Sequence, residues 1–560
     1  MSLSRRLVAV GLLCASVAKG LDLDTFTGQA QVLGRQREMI LNQQQGDDTV
    51  KPMRMMAEPE ADNSDGKCTK KKGCKLGCCG PLDKEGFGIC GTGPKFCGKD
   101  CTSECDYKSE CDPGGWGLKY SNFTTCPLNV CCSDYGFCGT SSSYCKGKTA
   151  ASPKCDKAKH SSDKRTIGYY EGWNYQRPCG NMEPEDIPLG YYTHINFAFA
   201  LVNPDTYRLD PMDKGTASRY GRVSALKQQQ DGLEVWIAIG GWAMNDPGKY
   251  RTVFSDLAKS EKKQDAFFDS LITFLQRYDF DGVDLDWEYP VAEDRGGVAE
   301  DFENYVNLLA RLRKRLNSSG RKYGLTLTLP ASYWYLKGFD IVNMEKYLDW
   351  FNIMTYDIRK FLHSCDEFPT NQGLDGVWDE NIESLGPYAH AHTNLTEIQQ
   401  GLELLWRNNI NPERVIMGLG FYGRSFTMKS ANCLDAGCEF SEGAKGGECT
   451  GTKGVLSASE INKIIKNGGK MKLDEEAAVQ IVTWDSNQWV SWDDAKTLKM
   501  KLDYANENCL GGTMVWAIDL DDGTLIEALG KGMKRKKSRT SPPQKVVSCF
   551  GTGNIDKDEL

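Results

Sequence analysis

At 560 residues the chain is too long for one ordinary domain, so two or three units are expected. A formal net charge of -8 argues against the basic face that a nucleic-acid partner requires, and a neutral or weakly cationic polymer suits it better. Of 23 cysteines, 15 crowd between Cys68 and Cys155 and seven scatter from Cys179 to Cys549. In an oxidising compartment such crowding reads as a disulfide framework, and neither a metal site nor a cofactor is expected.

The chain opens with Arg5 and Arg6, an apolar run from Leu7 to Val17, and the small residues Ala18 and Gly20, so residues 1–20 read as a secretory signal peptide. The run is too short to span a bilayer, and no later stretch is apolar enough, so no membrane partner is expected. Residues 21–67 are rich in Gln, Met and Asp and read as a flexible leader. Cysteine-dense modules follow at 68–105 and 111–155.

From 165 to 530, short β-rich runs alternate with helical patterns, which signals βα units and a parallel sheet. The runs are Thr166 to Tyr170, His194 to Ala200, Glu234 to Gly240, Gly282 to Trp287, Gly324 to Leu329, Trp350 to Thr355, Val415 to Gly420 and Gly512 to Ile518. Apolar spacings of three and four mark helices at Gln264 to Tyr278 and Asp301 to Leu316. Eight units predict an α/β fold, a (β/α)8 TIM barrel, and its excess length requires insertions. The largest, about 427–509, reads as a small α+β subdomain forming one wall of a cleft.

Residues 531–560 read as a basic, disordered tail. They end in Lys557, Asp558, Glu559 and Leu560, an endoplasmic-reticulum retrieval address. Lys534 and Arg535 form a dibasic site at which the tail can be removed, so secretion is expected. The sequons at Asn122, Asn317 and Asn394 agree with that route.

The chemistry concentrates in FDGVDLDWEYP, Phe280 to Pro290. Side chains alternate along a strand, so Asp284, Asp286 and Glu288 share one face while Val283, Leu285 and Trp287 share the other. Three carboxylates then point into the barrel, with Glu288 at the C-terminal mouth where barrel enzymes work. Stacked in a poorly solvated lumen they cannot all ionise, so protons are shared and Glu288 can stay protonated as an acid. Calcium-loop spacing does not fit.

These acids match the DxxDxDxE signature at Asp281, Asp284, Asp286 and Glu288, and the chain here resembles glycoside hydrolase family 18. The resemblance continues in GYYEGW (Gly168 to Trp173), AIGGW (Ala238 to Trp242), MTYD (Met354 to Asp357), GFYGRSF (Gly420 to Phe426) and MVWAIDLDD (Met514 to Asp522). It implies endo-acting, retaining hydrolysis of chitin and chitooligosaccharides by substrate assistance, an exception to the usual two-carboxylate scheme. Catalytic roles fall to Glu288, Asp286, Asp284 and Tyr356, with Asp284 sharing a proton with Asp286. Trp516 floors the sugar, and Asp357, Tyr422, Arg424, Trp173 and Trp242 line the cleft, the two tryptophans also fitting a core role. Asp281 reads as structural. Where the family often has Ser, this chain has Ala238, which removes a donor to Asp284. The chain is most similar to fungal class V chitinases related to yeast killer-toxin α subunits, and a non-catalytic chitin lectin or killer-toxin-like delivery subunit is the alternative. A monomer is expected.

The cysteine modules resemble hevein-type chitin-binding domains, too small for a core without disulfides. The resemblance implies the pairs Cys68-Cys79, Cys74-Cys90, Cys78-Cys97, Cys101-Cys105, Cys111-Cys132, Cys126-Cys138 and Cys131-Cys145, leaving Cys155 over. It implies sugar contacts from Ser133, Tyr135, Phe137 and Tyr144 in the second module and from Phe87 and Phe96 in the first, where Ile89 replaces an aromatic.

One stretch departs from the family. After Tyr356, Asp357 and Ile358 the family continues directly, whereas here the residues from Arg359 to Asp375 intervene. Codons for Arg359-Lys360 and Leu374-Asp375 can hold an in-frame splice donor and acceptor whose joining restores the family's His. We read the stretch as a retained intron; the alternative is a real loop carrying Cys365 over the cleft.

Overall fold

The computed structural model describes residues 66–148, 150–358 and 387–538. The signal peptide, nearly all of the leader, the stretch from Arg359 to Asp375 and the tail beyond Ser538 lie outside the described residues; residues 531–538, expected to be disordered, are instead ordered, since the helix Thr524–Gly532 runs into them and the Ser538 N–H donates to the Leu189 carbonyl at 2.8 Å.

All eight expected strands form, within one or two residues of their expected ends. They are Thr166–Glu171 (β1), His194–Val202 (β2), Glu234–Gly240 (β3), Gly282–Asp286 (β4), Gly324–Pro330 (β5), Trp350–Met354 (β6), Val415–Gly420 (β7) and Gly512–Trp516 (β8). Neighbours pair in parallel, β8 pairs with β1, and β1 pairs with β2, which closes the barrel. Each strand is nearly all buried, as expected when one face fills the lumen and the other meets helices.

The helix Glu261–Tyr278 shows why the outer ring forms. Ser260 caps it by accepting from the Lys263 N–H, and Phe267, Leu271, Phe274 and Leu275 form a buried stripe. Asp279 then ends the helix in a left-handed conformation at φ 56°. Trp287, on the outward face of the β4 segment, stacks on Phe254 at 5.4 Å and packs on Tyr305 at 4.9 Å. Truncating it to Ala would cost about 3–5 kcal/mol through the cavity left behind.

The insertion subdomain is an antiparallel sheet of Tyr422–Met428, Phe440–Gly443, Val455–Ser457, Lys470–Asp474, Val479–Trp484 and Gln488–Trp492, with the helix Ala458–Lys466. It begins before Thr427, because the chain turns out of β7 directly into its first strand. It ends before Cys509, because Ala495–Glu507 packs against Thr524–Gly532 in the outer ring.

All seven expected disulfides of the modules form. Cys155 bonds Cys509, Cys179 bonds Cys449, and Cys433 bonds Cys438. Among the described residues, the side-chain groups close enough to hold a metal are Cys68, Cys74, Cys79 and Cys111, Cys126, Cys138, and every one of these sulfurs is in a disulfide. No helix of the described residues is long and apolar enough to cross a membrane.

Candidate active site

The carboxylate ladder forms as alternation demands. Asp284, Asp286 and Glu288 are all buried, at 0%, 4% and 8% exposure, with Glu288 just past the end of β4. Asp284 accepts from Tyr169 Oη at 2.6 Å, Thr326 Oγ1 at 2.7 Å and Asn352 Nδ2 at 2.9 Å. Burial still raises its carboxyl pKa, against those donors. Asp286 accepts from Thr328 Oγ1, and its pKa stands well above the usual carboxylate range, through burial first and the neighbouring Glu288 second. Burial and mutual repulsion thus favour keeping a proton among these acids.

Tyr169, Thr326, Thr328 and Asn352 were not singled out from the sequence. The signal was in the register: Asp284 pairs with Thr326, and Thr328 pairs with Asn352, so same-layer inward positions were polar. Ala238 lies beside Asp284 in β3, and the three other donors stand in for the hydroxyl it lacks.

Around the ladder, Tyr356 is buried, with its hydroxyl 3.8 Å from the Met514 sulfur, and its pKa stands well above normal through burial and then Asp286. Trp516 is half-buried at the end of β8, stacked on Phe199 at 5.6 Å and tilted against Tyr169 at 5.6 Å. Trp173 is buried and stacks on the same Phe199 at 5.8 Å, so it supports the floor from within the aromatic packing.

Asp357 and Arg424 meet in a bidentate pair, both contacts 2.6 Å. Burial pushes the Asp357 carboxyl up, but Arg424 and His392 together hold it far below the usual range. His392 contacts Asp357 Oδ1 at 3.3 Å and the Tyr422 carbonyl at 3.2 Å, joining three of the expected cleft residues through one that the sequence did not reveal. The insertion subdomain, which carries Tyr422 and Arg424, is thereby fixed to the barrel beside Tyr356.

Arg295 is another residue that the sequence did not reveal. Its Nε donates to the Glu288 carbonyl at 3.0 Å, its Nη1 to Asp246 at 3.0 Å and its Nη2 to the Trp242 carbonyl at 2.6 Å. Its guanidinium lies 3.6 Å over the Trp242 ring. Trp242, half-buried and edge-on to Tyr289 at 6.4 Å, is thus coupled to the backbone of Glu288. Asp281 is structural, as expected: it accepts from the Val235 N–H and pairs with Lys227 and Arg321.

In the second module Tyr135 is 73% exposed, Phe137 half-buried, and Ser133 buried, its hydroxyl accepting from the Phe137 N–H. Tyr144 departs from the expectation of an open sugar platform. It is 3% exposed, because its ring packs over Gly139, where an added Cβ would fall 2.6 Å from it. In the first module Phe87 is 46% and Ile89 65% exposed, and Phe96 is half-buried over Gly91.

The family model described as glycosyl hydrolases family 18 matches residues 165–521, and that of a chitin recognition protein matches 117–155. A probable chitinase, LysM18, of Penicillium expansum is 31% identical over 433 residues, 72% of this chain and 29% of that protein. The killer toxin subunits alpha/beta of Kluyveromyces lactis are 31% identical over 73% of this chain and 34% of their own length. The chain thus spans about a third of the length of these relatives. Among solved structures, catalytic domain 2 of the Ostrinia furnacalis Group II chitinase superposes with a TM-score of 0.56 at 26% identity, over 68% of this chain and 99% of that domain. With the barrel, the acid ladder and the family match over its catalytic region, the chain belongs to glycosyl hydrolase family 18.

Proposed function

We propose that the protein is an endo-acting chitinase that cleaves β-1,4 bonds between N-acetylglucosamine units with retention of configuration. The observation that carries this reading is the buried ladder of Asp284, Asp286 and Glu288, in which burial and mutual repulsion favour a shared proton. Glu288 protonates the glycosidic oxygen, and the sugar's own acetamido oxygen attacks the anomeric carbon. Glu288 then takes a proton from the incoming water. Asp286 orients the acetamido group, Tyr356 donates to its oxygen, and Trp516 carries the sugar face. A substituted form of the Ostrinia domain was solved with an N-acetylglucosamine pentamer, which supports the substrate class. Ten disulfides among the described residues, and a relative named as a secreted chitinase, support export to an oxidising compartment.

Glu288→Gln keeps the shape and removes the transferable proton, so turnover of chitin oligomers falls about a thousandfold or more while oligomer binding persists. Wild-type-like turnover in that variant would rule the assignment out. Proton NMR of the first product on wild-type enzyme reads the β anomer if configuration is retained.

A further inference from the structure

A lysine with no exposed surface lies one residue away from the polar cluster that joins the insertion subdomain to the barrel. Lys501, on the helix Ala495–Glu507, forms an ion pair with Asp493, just before that helix, and both side chains are 0% exposed. Asp493 also accepts from Thr497 Oγ1 at 2.8 Å. The third member comes from a distant part of the chain. Buried Thr393 accepts from Lys501 Nζ at 3.1 Å, and its hydroxyl donates to the other Asp493 oxygen at 3.1 Å. Taking two charges out of water costs so much that apolar replacements of a buried pair are often neutral or stabilising. The pair is therefore explained by the arrangement it enforces rather than by stability.

What it enforces is the path of the chain at Thr393, and the residue before Thr393 is His392. On either side the backbone is held as well: the Ile358 N–H donates to the His392 carbonyl at 3.1 Å, and the Leu395 N–H donates to the Ala477 carbonyl at 2.9 Å. The His392 ring fits closely against Gly420 at the end of β7, where an added Cβ would fall 3.1 Å from Cε1 of both His392 and Tyr422. In that slot the imidazole packs on the Tyr422 ring, centroids 4.8 Å apart, with one nitrogen facing the Tyr422 carbonyl and the other Asp357. Asp357 follows Tyr356 and grips Arg424. One ring thus touches the barrel side of the cleft, at Asp357, and the subdomain side, at Tyr422.

Resting on the chitinase reading, we propose that His392 is a positioning residue for the sugar cleft, and that the buried network of Lys501, Asp493 and Thr393 exists to hold it there. His392 need not touch the sugar. It sets the spacing between Tyr356 with Asp357 on β6 and Tyr422 with Arg424 on the subdomain, and a shift of the reacting groups reduces rate steeply.

Turnover of the N-acetylglucosamine pentamer by the full chain tests this through a double-mutant cycle. His392→Ala lowers kcat/KM about ten- to a hundredfold. Asp493→Leu with Lys501→Met replaces the ion pair by apolar side chains, so the melting temperature stays at the wild-type value or rises, while kcat/KM falls to the His392→Ala level. Adding His392→Ala to that pair of changes costs no further activity, because both act through one ring. Should the paired replacement fail to fold, Thr393→Val takes its place in the cycle: it keeps the shape and removes the bridging hydroxyl, and Thr393→Ser restores wild-type kcat/KM. Losses that multiply, or wild-type kcat/KM once the network is broken, show the network to be structural only and overturn the proposal. A wild-type enzyme that leaves the pentamer intact overturns the chitinase reading instead.

Discussion

Arg295 acts on Glu288 through the backbone, and its planar fork is what lets it do so. One edge holds the Glu288 carbonyl and the Trp242 carbonyl, another holds Asp246, and the flat face lies on the Trp242 ring. A lysine supplies the charge but neither the fork nor the stacking face. Small displacements of a reacting group reduce rate steeply, so Arg295→Lys lowers kcat on short oligomers about ten- to a hundredfold with little change in KM. Steady-state kinetics alongside a melting curve checks this. A variant that merely melts earlier, with kcat intact, would show Arg295 to be structural only. Asp286→Asn belongs at the same scale: on the proposed mechanism it removes the carboxylate that orients the acetamido group, so kcat on chitin oligomers, measured beside wild type, falls by most of its value.

At the scale of elements, the loop after β1 is tied to the insertion subdomain. Arg177 in that loop pairs with Glu171 at the end of β1 and with Asp519 beyond β8, and Cys179 bonds Cys449 in the subdomain. Burial first, and Asp519 second, raise the Glu171 pKa well above the carboxylate range, while Arg177 lowers it. Replacing both Cys179 and Cys449 with Ser frees this junction beside Trp173. Loss of such a long-range crosslink costs about 2–4 kcal/mol, so the melting temperature falls. KM for oligomers rises more than kcat falls, because the ladder of β4 does not depend on the strap. Calorimetry and kinetics on the double variant read both.

Much of this was legible beforehand, for reasons that differ by element. The barrel strands announced themselves because both of their faces are buried, which leaves short apolar runs between helical spacings. Glu288, Asp286 and Asp284 were legible because a period of two is strict on a strand. Arg295 and His392 were not, since each comes from a loop whose path follows no period. Tyr144 looked like a platform because its cysteine spacing fits one, whereas its ring packs over Gly139 and leaves little face open.

For the whole molecule, two buried carboxylates pull stability in opposite directions with pH. Asp521 accepts from the Leu525 and Ile526 N–H groups, yet burial raises its pKa from 3.8 to about 6. Its contribution is complete below 3.8 and is lost as pH rises through about 6. Asp357 is held below 3.8 by Arg424 and His392 despite burial, so its contribution is present above 3.8 and is lost as pH falls. Between them, these two groups contribute most near pH 4. Asp521→Asn flattens the alkaline side by up to about 3 kcal/mol, read from denaturant unfolding across pH. The stretch from Arg359 to Asp375 is decided elsewhere: sequencing the mature transcript finds those codons absent if they are a retained intron, and their presence would establish a real insertion.

The bond between Cys155 and Cys509 sets an order of events during synthesis. The disulfides inside the modules join cysteines 4 to 21 residues apart, so they can close as soon as that short span emerges. Cys155 must wait across 354 residues for its partner, until every barrel strand but β8 has been made. The modules are thus finished first and hang from an open thiol while the barrel winds. A chain interrupted between Cys449 and Cys509 would leave the ribosome with two completed modules, an unclosed barrel and Cys155 without its partner, which quality control in the secretory pathway can recognise.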